Sequence, residues 1–462
     1  MIADLKLYPE YKESGLPWLG QVPGHWSFER AKWRFRKRKE LNVRGEHTNI
    51  LSLTLRGVVN NNPDNPEGLV PKDYRTYQFF AKGDLVFKLI DLENLRTSRV
   101  GLVHEDGIMS SAYVRLVPSA PTNIRYFYYQ FYDLYSRGIY NQLGAGVRAT
   151  LGPSDLLNVG IVIPPPDEQA AIVRFLDWAN GRLDSAIRAK RKVITLLNEQ
   201  KQSIIYRAVT RGIDSSFPLS ATNRPFLEHL PAHWPVLRAK LLLRQVVPLI
   251  PDCAEMVTCF RDGQVTLRRN RRTTGFTNAI WELGYQGIEP GQLVLHSMDA
   301  FAGAIGVSDS SGKCSPEYVI CEPAVEGVLP EYYGHLLRSL SLRGLFVALC
   351  PSVRERAPRV RFSDFGSFVL PKPPMSEQAA IVDYISDSCR SIDTSLAIMR
   401  RESDLLGEYK TRLVVDVVTG KLDVREAAAR LPEETPPGTA ENGMDMEDDE
   451  TELDPSVSEE AP

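Results

Sequence analysis

No stretch of the 462-residue chain approaches 18 consecutive apolar residues, so no membrane span is expected. The opening "MIADLKLYPEYK" lacks a positive n-region and an apolar h-region, so no signal peptide is expected. The six cysteines, all between Cys253 and Cys389, form no C-x-x-C pair, and the seven histidines do not gather near them. That argues against a metal site and reads as reduced core thiols of a cytoplasmic protein. Catalytic signatures are missing as well. There is no G-x-x-x-x-G-K-S/T; the nearest approach, Gly306 to Gly312-Lys313, is one residue too long and is followed by Cys314. No G-x-G-x-x-G opens a helix after a strand, and G-x-S-x-G is absent. Neither Asn-Pro-Pro-aromatic nor Asp-Pro-Pro-aromatic occurs, so the usual amino-methyltransferase box is absent. No residue stands out as catalytic.

Charge is distributed unevenly. The net charge is −3, yet residues 433–462 hold 12 acidic residues and no Lys or Arg, which leaves +9 on the rest. That tail has almost no large apolar residues and is expected to be disordered over 431–462. A basic body suits a polyanionic partner. "RAKWRFRKRK" puts seven Arg and Lys into Arg30–Lys39, interleaved with Trp33 and Phe35. "LRRNRR" (Leu267–Arg272) and "VRERAPRVR" (Val353–Arg361) are further clusters, and Lys88, Arg96, Arg99 and Arg148 are scattered through the first half. Together they point to nucleic acid, since Arg and Lys contact phosphates and Arg can read guanine edges.

The chain is written twice. "PGHWSFERAK" at Pro23 returns as "PAHWPVLRAK" at Pro231, 208 residues later. "EQAAIV" at Glu168–Val173 returns at Glu377–Val382, each time after a proline cluster. "AVTRGID" (Ala208–Asp214) matches "VVTGKLD" (Val417–Asp423), and a period near 209 indicates duplication of a whole domain. Each copy has a variable block followed by a similar block. The variable blocks look strand-rich α/β. "GDLVFKLI", "SAYVRLVP", "GQLVLHSM" and "PEYVICEP" read as strands. "IRYFYYQFYDLYSRGIYNQL" and "LPEYYGHLLRSLSLRGLFVAL" read as helices whose aromatic faces are core.

The similar blocks read as long helices of roughly 40 residues, about 60 Å each. Asp167 or Ser376 is a plausible N-cap, and Asn180-Gly181 is expected to break the first helix. A seam at alternating spacings of four and three runs through Leu183, Ile187, Ile194, Leu197 and Ile204, with Lys190 and Lys201 interrupting it. Its counterpart runs through Ile392, Leu396, Met399, Leu406 and Leu413, interrupted by Ser403 and Lys410. Neither seam can stay exposed, and each is the simplest partner for the other.

In this order (P-x-H-W, variable block, P-P-x-x-E-Q-x-x-I, long helix, twice over) the chain resembles the DNA-specificity subunit of type I restriction–modification systems. "YKESGLPWLGQVPGHW", "PPPDEQAAIV" and "PPMSEQAAIV" carry the resemblance, which covers about residues 8–425. It implies an α/β (α+β) fold with two globular target-recognition domains separated by an antiparallel pair of long coiled-coil-like helices, in a pseudo-two-fold duplication. The corresponding spans are an N-terminal segment at 1–22, recognition domains at 23–165 and 230–374, spacer helices at 166–211 and 375–425, and a linker at 212–229. It also implies that each domain reads half of a split asymmetric sequence in double-stranded DNA. The helices would space the domains and dock two methyltransferase (modification) subunits, with restriction (translocase/nuclease) subunits joining them. No cofactor is implied in this chain. S-adenosylmethionine, ATP and magnesium are expected on the partners.

No catalytic residue carries over. Arg148 and the group Arg354, Arg356, Arg359 and Arg361 occupy matching positions before a Ser-Asp landmark in the two copies, which suggests a shared DNA-facing loop. Arg268, Arg269, Arg271 and Arg272 form another candidate. Two other readings stay open at this point: a subunit of a fused restriction enzyme with its own catalytic activity, and a helical scaffold that binds no DNA. The acidic tail is not part of the family's pattern.

Overall fold

The β-rich runs of each copy assemble into one four-stranded antiparallel sheet. The structure is a computed structural model that describes residues 5–55, 57–62, 73–90, 92, 98–143, 150–252, 254–271, 283–350 and 359–432. By contacts the described residues divide into unit 1, which takes those up to 190 and those from 401 on, and unit 2, which takes those from 191 to 400. In chain order the elements used below are strands β1 (Phe35–Arg38), β2 (Leu85–Phe87), β3 (Val100–Leu102) and β4 (Val114–Pro118), then helices α1 (Ile124–Ser136) and α2 (Pro166–Arg211). They continue with β5 (Leu243–Val246), β6 (Leu293–His296), β7 (Ile305–Val307), β8 (Tyr318–Pro323), α3 (Pro330–Ser341) and α4 (Met375–Val418).

In unit 1 the sheet order is β1-β4-β2-β3, with Val117 opposite Arg36 and Leu116 opposite Leu85. Strand alternation sends Leu85 and Phe87 to one face and Val86 to the other. Both faces are covered. Leu85 and Phe87 meet Phe127 and Phe131 of α1, while Val86 meets Leu51, Leu53, Phe80 and Met109. Unit 2 repeats the order as β5-β8-β6-β7. There Leu293 and Leu295 face Leu336, Leu337 and Leu340 of α3, and Val294 faces a second small core with Val257, Val265 and Ile320. The aromatic helix faces are core, as expected: Tyr126, Phe127, Tyr332 and Tyr333 are fully buried.

Both expected aromatic helices are shorter than their sequence pattern. α1 stops before Arg137-Gly138 and a separate helix covers Ile139–Leu143. α3 likewise gives way before Arg343-Gly344 to a helix at Leu345–Leu349. Gly138 and Gly344 have φ of 67° and 93°, a left-handed conformation that ends a helix and that glycine adopts without strain.

The long helices differ from expectation in the other direction. α2 runs unbroken through Asn180-Gly181 for 46 residues, and α4 for 44. A helical glycine costs only about 1 kcal/mol, and the buried Phe175, Leu176 and Ala179 just before it hold the helix in the core of unit 1. Neither Asp167 nor Ser376 is the N-cap, because the helices already start at Pro166 and Met375. Instead the side chain of Gln169 reaches back to the Pro164 carbonyl at 2.9 Å, and that of Gln378 to Pro373 at 2.8 Å. The seam positions are the shielded ones. Ile392, Leu396 and Leu413 are buried and Leu183, Ile187, Ile194, Leu197, Ile204, Met399 and Leu406 half-buried. Within unit 1, Lys410 pairs with Asp184 at 2.6 Å and Lys190 with Glu402, so the two helix segments run antiparallel there. Within unit 2, Lys201 pairs with Asp393. The interrupting lysines thus bridge from one helix to the other.

The described cysteines Cys259, Cys314, Cys321, Cys350 and Cys389 are free thiols, and no described helix is long and apolar enough to cross a membrane. Burial, reinforced by the Arg338 and Lys201 cations, pushes the His335 imidazole on α3 down to about 4. An unfolded histidine titrates near ~6.5. Between those values the unfolded chain binds a proton that the folded one refuses. The stability contributed by the neutral ring is therefore full above the upper value and is lost as pH falls toward the lower one. His335→Gln is expected to flatten this part of the pH–stability curve, measured as the urea midpoint between pH 7 and 4.

Candidate nucleic-acid interface and its helix clamps

The repeated phrases of the sequence touch one another. In unit 1 the Glu168 carboxylate, in the first turn of α2, accepts a bond from the Trp26 indole N–H at 3.0 Å and lies 2.8 Å from His25 Nε2. In unit 2 Glu377, in the first turn of α4, accepts from the Trp234 indole at 2.8 Å and lies 2.8 Å from His233 Nε2. The same tryptophans also seat the opposite helix. Two residues past the end of α4 in unit 1 stands Gly420, whose Cβ position would lie 2.3 Å from Pro23 Cδ and 3.0 Å from Trp26. Just past the end of α2 in unit 2 stands Gly212, whose Cβ position would lie 3.4 Å from Trp234. Both glycines have φ above 70°, so they close the helices without a Cβ penalty. Each His-Trp pair therefore holds the start of one long helix and the end of the other.

The two clamps are not equally dressed. In unit 1 the Tyr8 hydroxyl also donates to Glu168, and the Arg425 guanidinium lies over the Tyr8 ring at 5.3 Å. Burial first, and then that bond to Glu168, holds the Tyr8 phenol well above its ordinary value. The Lys6 carbonyl accepts from the Asp423 N–H at 2.8 Å, which ties the segment before the first phrase to the segment after α4. In unit 2 a phenylalanine, Phe217, packs on His233 with ring centroids 4.2 Å apart and planes tilted by 38°, beside a cleft lined by Arg211, Asp214, Ser376 and Glu377.

The candidate DNA-contacting arginines are only partly in view. Arg148, Arg272, Arg354 and Arg356 lie outside the described residues. Arg268 and Arg269 sit on a 3-10 turn (Arg268–Asn270) after the strand Val265–Leu267, and Arg271 caps it. The Arg268 Nε donates to Thr258 Oγ1 at 3.3 Å, and Arg269 pairs with Glu255. Arg271 pairs with Asp262 at 2.6 Å and lies over the Phe260 ring at 4.3 Å. Arg359 pairs with Glu317 at 3.2 Å beside the start of β8, and the Arg361 main chain caps a short helix through Asp364. Burial is the main cause that raises the Tyr318 phenol at the start of β8. Of the scattered cations in the first half, Arg99 is buried, and Arg96 lies outside the described residues.

Sequence reasoning missed two further features, one in each unit. The Asp299 carboxylate lies 3.1 Å from His296 Nδ1 and accepts a bond from Arg261 at 3.1 Å, and the interaction with His296 first and then Arg261 holds its carboxyl below the usual range. Arg115, in the middle of β4, is buried against Asp84 at 2.6 Å. Arg261 lies 38 residues from Asp299 and Asp84 lies 31 from Arg115, and no motif links either pair. The described residues hold no cluster of His, Cys, Asp and Glu suited to a metal ion.

Residues 54–195 match the family model described as the type I restriction modification DNA specificity domain. The chain is 24% identical over 296 residues to the type I restriction enzyme MjaVIII specificity subunit of Methanocaldococcus jannaschii, a match covering 58% of this chain. It spans 63% of that relative's length. Among solved structures, a chain from a study of complex assembly and conformational transition of the type I R-M system superposes with a TM-score of 0.56 at 13% identity, covering 87% of this chain and 99% of that one. The HsdS subunit of Thermoanaerobacter tengcongensis gives a TM-score of 0.38 at 16% identity over 89% of this chain and 100% of its own. The family-model match and the Methanocaldococcus relative add to the motifs that carry the resemblance to type I specificity subunits.

Removing the Glu168 carboxylate orphans two buried donors, at about 1–3 kcal/mol each. Glu168→Ala is expected to lower stability by about 3 kcal/mol and Glu168→Gln by about a third of that. Glu377→Ala, whose carboxylate is more exposed, should cost less than Glu168→Ala. Urea denaturation of the three variants checks the order.

Proposed function

We propose that this chain is the DNA-specificity subunit of a type I restriction–modification complex. Each unit reads one half of a split, asymmetric target in double-stranded DNA. The long helices form an antiparallel, coiled-coil-like spacer, and the duplication gives the chain a pseudo-two-fold on which two methyltransferase subunits dock equivalently. Restriction subunits join that core. The chain itself is non-catalytic. S-adenosylmethionine, ATP and magnesium belong to the partner subunits, and the assembly works on DNA in the cytoplasm.

The observation that carries this reading is the duplicated clamp. The same His-Trp-Glu bonding and the same helix-ending glycine occur in both units, around the same sheet order, while the residues of the intervening loops differ. A chain that repeats the His-Trp-Glu core of its joints and lets its loops diverge is organised to present two different surfaces from two equivalent mounts. The candidate contacts Arg148, Arg268, Arg269, Arg271, Arg272, Arg354, Arg356, Arg359 and Arg361 all fall on those diverging segments.

Long-read mapping of methylated adenines, with the gene intact and then deleted, is the primary test. A split asymmetric motif that loses methylation on deletion is expected; an unchanged methylome in cells with active methyltransferase partners overturns the reading. Inserting one heptad into each long helix is expected to lengthen the gap between half-sites and leave the half-site bases alone. Proteins that contact successive major grooves space those contacts by about one turn, roughly 10 bp, or a multiple of it. A spacer of unchanged length would remove the helices from that role.

A further inference from the structure

We propose that the basic edge of the unit 1 sheet is a separate DNA-backbone grip, and that the corresponding edge of unit 2 is not. The proposal rests on the reading of the chain as a DNA-specificity subunit. It assigns a site outside the arginine loops considered above.

"RAKWRFRKRK" folds as a 3-10 turn (Ala31–Trp33) leading into β1, an edge strand of its sheet. Ala31 and Phe35 anchor the stretch. Both are fully buried, and Phe35 meets Phe127 edge-to-face at 5.3 Å. The cations between and beyond these anchors point to water. Two of them are neutralised: Arg34 by two bonds to Glu29 at 2.9 and 3.0 Å, and Arg38 by Glu40 at 3.0 Å. Arg30, Lys32, Arg36, Lys37 and Lys39 are exposed, and among the described residues no carboxylate pairs with them. Beside them Trp33 is 68% exposed, with the Lys32 ammonium over its ring at 5.7 Å. An indole left in water beside unpaired cations matches what binds a nucleic-acid backbone: positive charge for phosphate and an aromatic face for sugar or base.

Lysine and arginine on an edge strand can also serve only to prevent edge-to-edge pairing. Unit 2 separates the two explanations. β5 holds the same edge, pairs with β8 as β1 pairs with β4, and follows the same Arg-Ala-Lys. Yet it reads Leu243, Arg244, Gln245, Val246, and then exposes Val247 and Leu249 at 73% and 92%. Arg244 is paired with Glu322 at 3.0 Å. If this edge needed a charge run for protection, unit 2 would need it as well. The run in unit 1 therefore has a partner-dependent use, and a polyanion is the partner that offsets the mutual repulsion of five neighbouring cations.

The test compares R36A/K37A/K39A in the full-length chain with R238A/K240A/R244A at the unit 2 edge. Binding to a target duplex and to a random duplex is measured by fluorescence anisotropy between 50 and 200 mM salt. Each lost phosphate contact reduces the slope of log K against log salt by about 0.9. The unit 1 variant is expected to lose about 2–3 from the slope and to weaken on both duplexes by the same factor. Its methylated motif in cells and its melting temperature should be unchanged, and the unit 2 variant should shift the slope by less than about 1. A wild-type slope in the unit 1 variant overturns the proposal and leaves the specificity-subunit reading intact. Equal losses in the two variants overturn the asymmetry. A wild-type chain that binds neither duplex overturns both readings together.

Discussion

The bonds from Trp26 to Glu168 and from Trp234 to Glu377 are the constraint on which the remaining architecture hangs. Each carboxylate sits in the first turn of a long helix, where the helix dipole already favours negative charge. Each indole offers a single donor, which must be satisfied when the ring is buried. The bond thus answers two needs at once, and it fixes where the strand-rich block meets its helix. Because the same ring also packs on the glycine that ends the opposite helix, both helix ends in a unit are referenced to one aromatic side chain. The prolines before each helix complete the joint, with Gln169 and Gln378 satisfying carbonyls that proline-rich chain leaves without helical partners.

Much of this was legible in the sequence, and the limits have physical causes. The four runs that read as strands supply β2, β4, β6 and β8, the inner strands of the two four-stranded sheets, because buried runs of β-branched and aromatic residues report directly on burial; the outer strands β1, β3, β5 and β7 carried no such run. The seams were legible for the same reason: their heptad positions are the shielded ones. The continuity of α2 was not. Asn180-Gly181 looks like a break when read locally, but tertiary packing of Phe175, Leu176 and Ala179 outweighs a cost of about 1 kcal/mol. The Arg-Gly endings of α1 and α3 failed in the opposite sense, since apolar residues continue past them and mask the change of backbone conformation.

The clamp was half legible. Both phrases stood out as repeats, yet nothing in one sequence says that Trp26 reaches a residue 142 positions away. Surface chemistry was the least legible. Arg99, a plausible DNA contact by type, is buried, while Trp33, a plausible core residue by type, is in water. Residue identity sets what a side chain can do, but the face it occupies depends on strand register and on what covers the sheet.

Covering both faces of each sheet has a consequence for how such a protein can change. With Leu85 and Phe87 packed on one side and Val86 on the other, and Leu293, Leu295 and Val294 likewise, neither sheet offers a face to lie against a partner. Whatever the units recognise must be met by loops and strand edges, which contribute little to the cores. Substitutions there fall in the class that usually shifts stability by no more than about 0.5 kcal/mol. Recognition and foldedness are thereby decoupled. New binding preferences can accumulate on this scaffold by drift through neutral surface changes, with no compensating mutation inside.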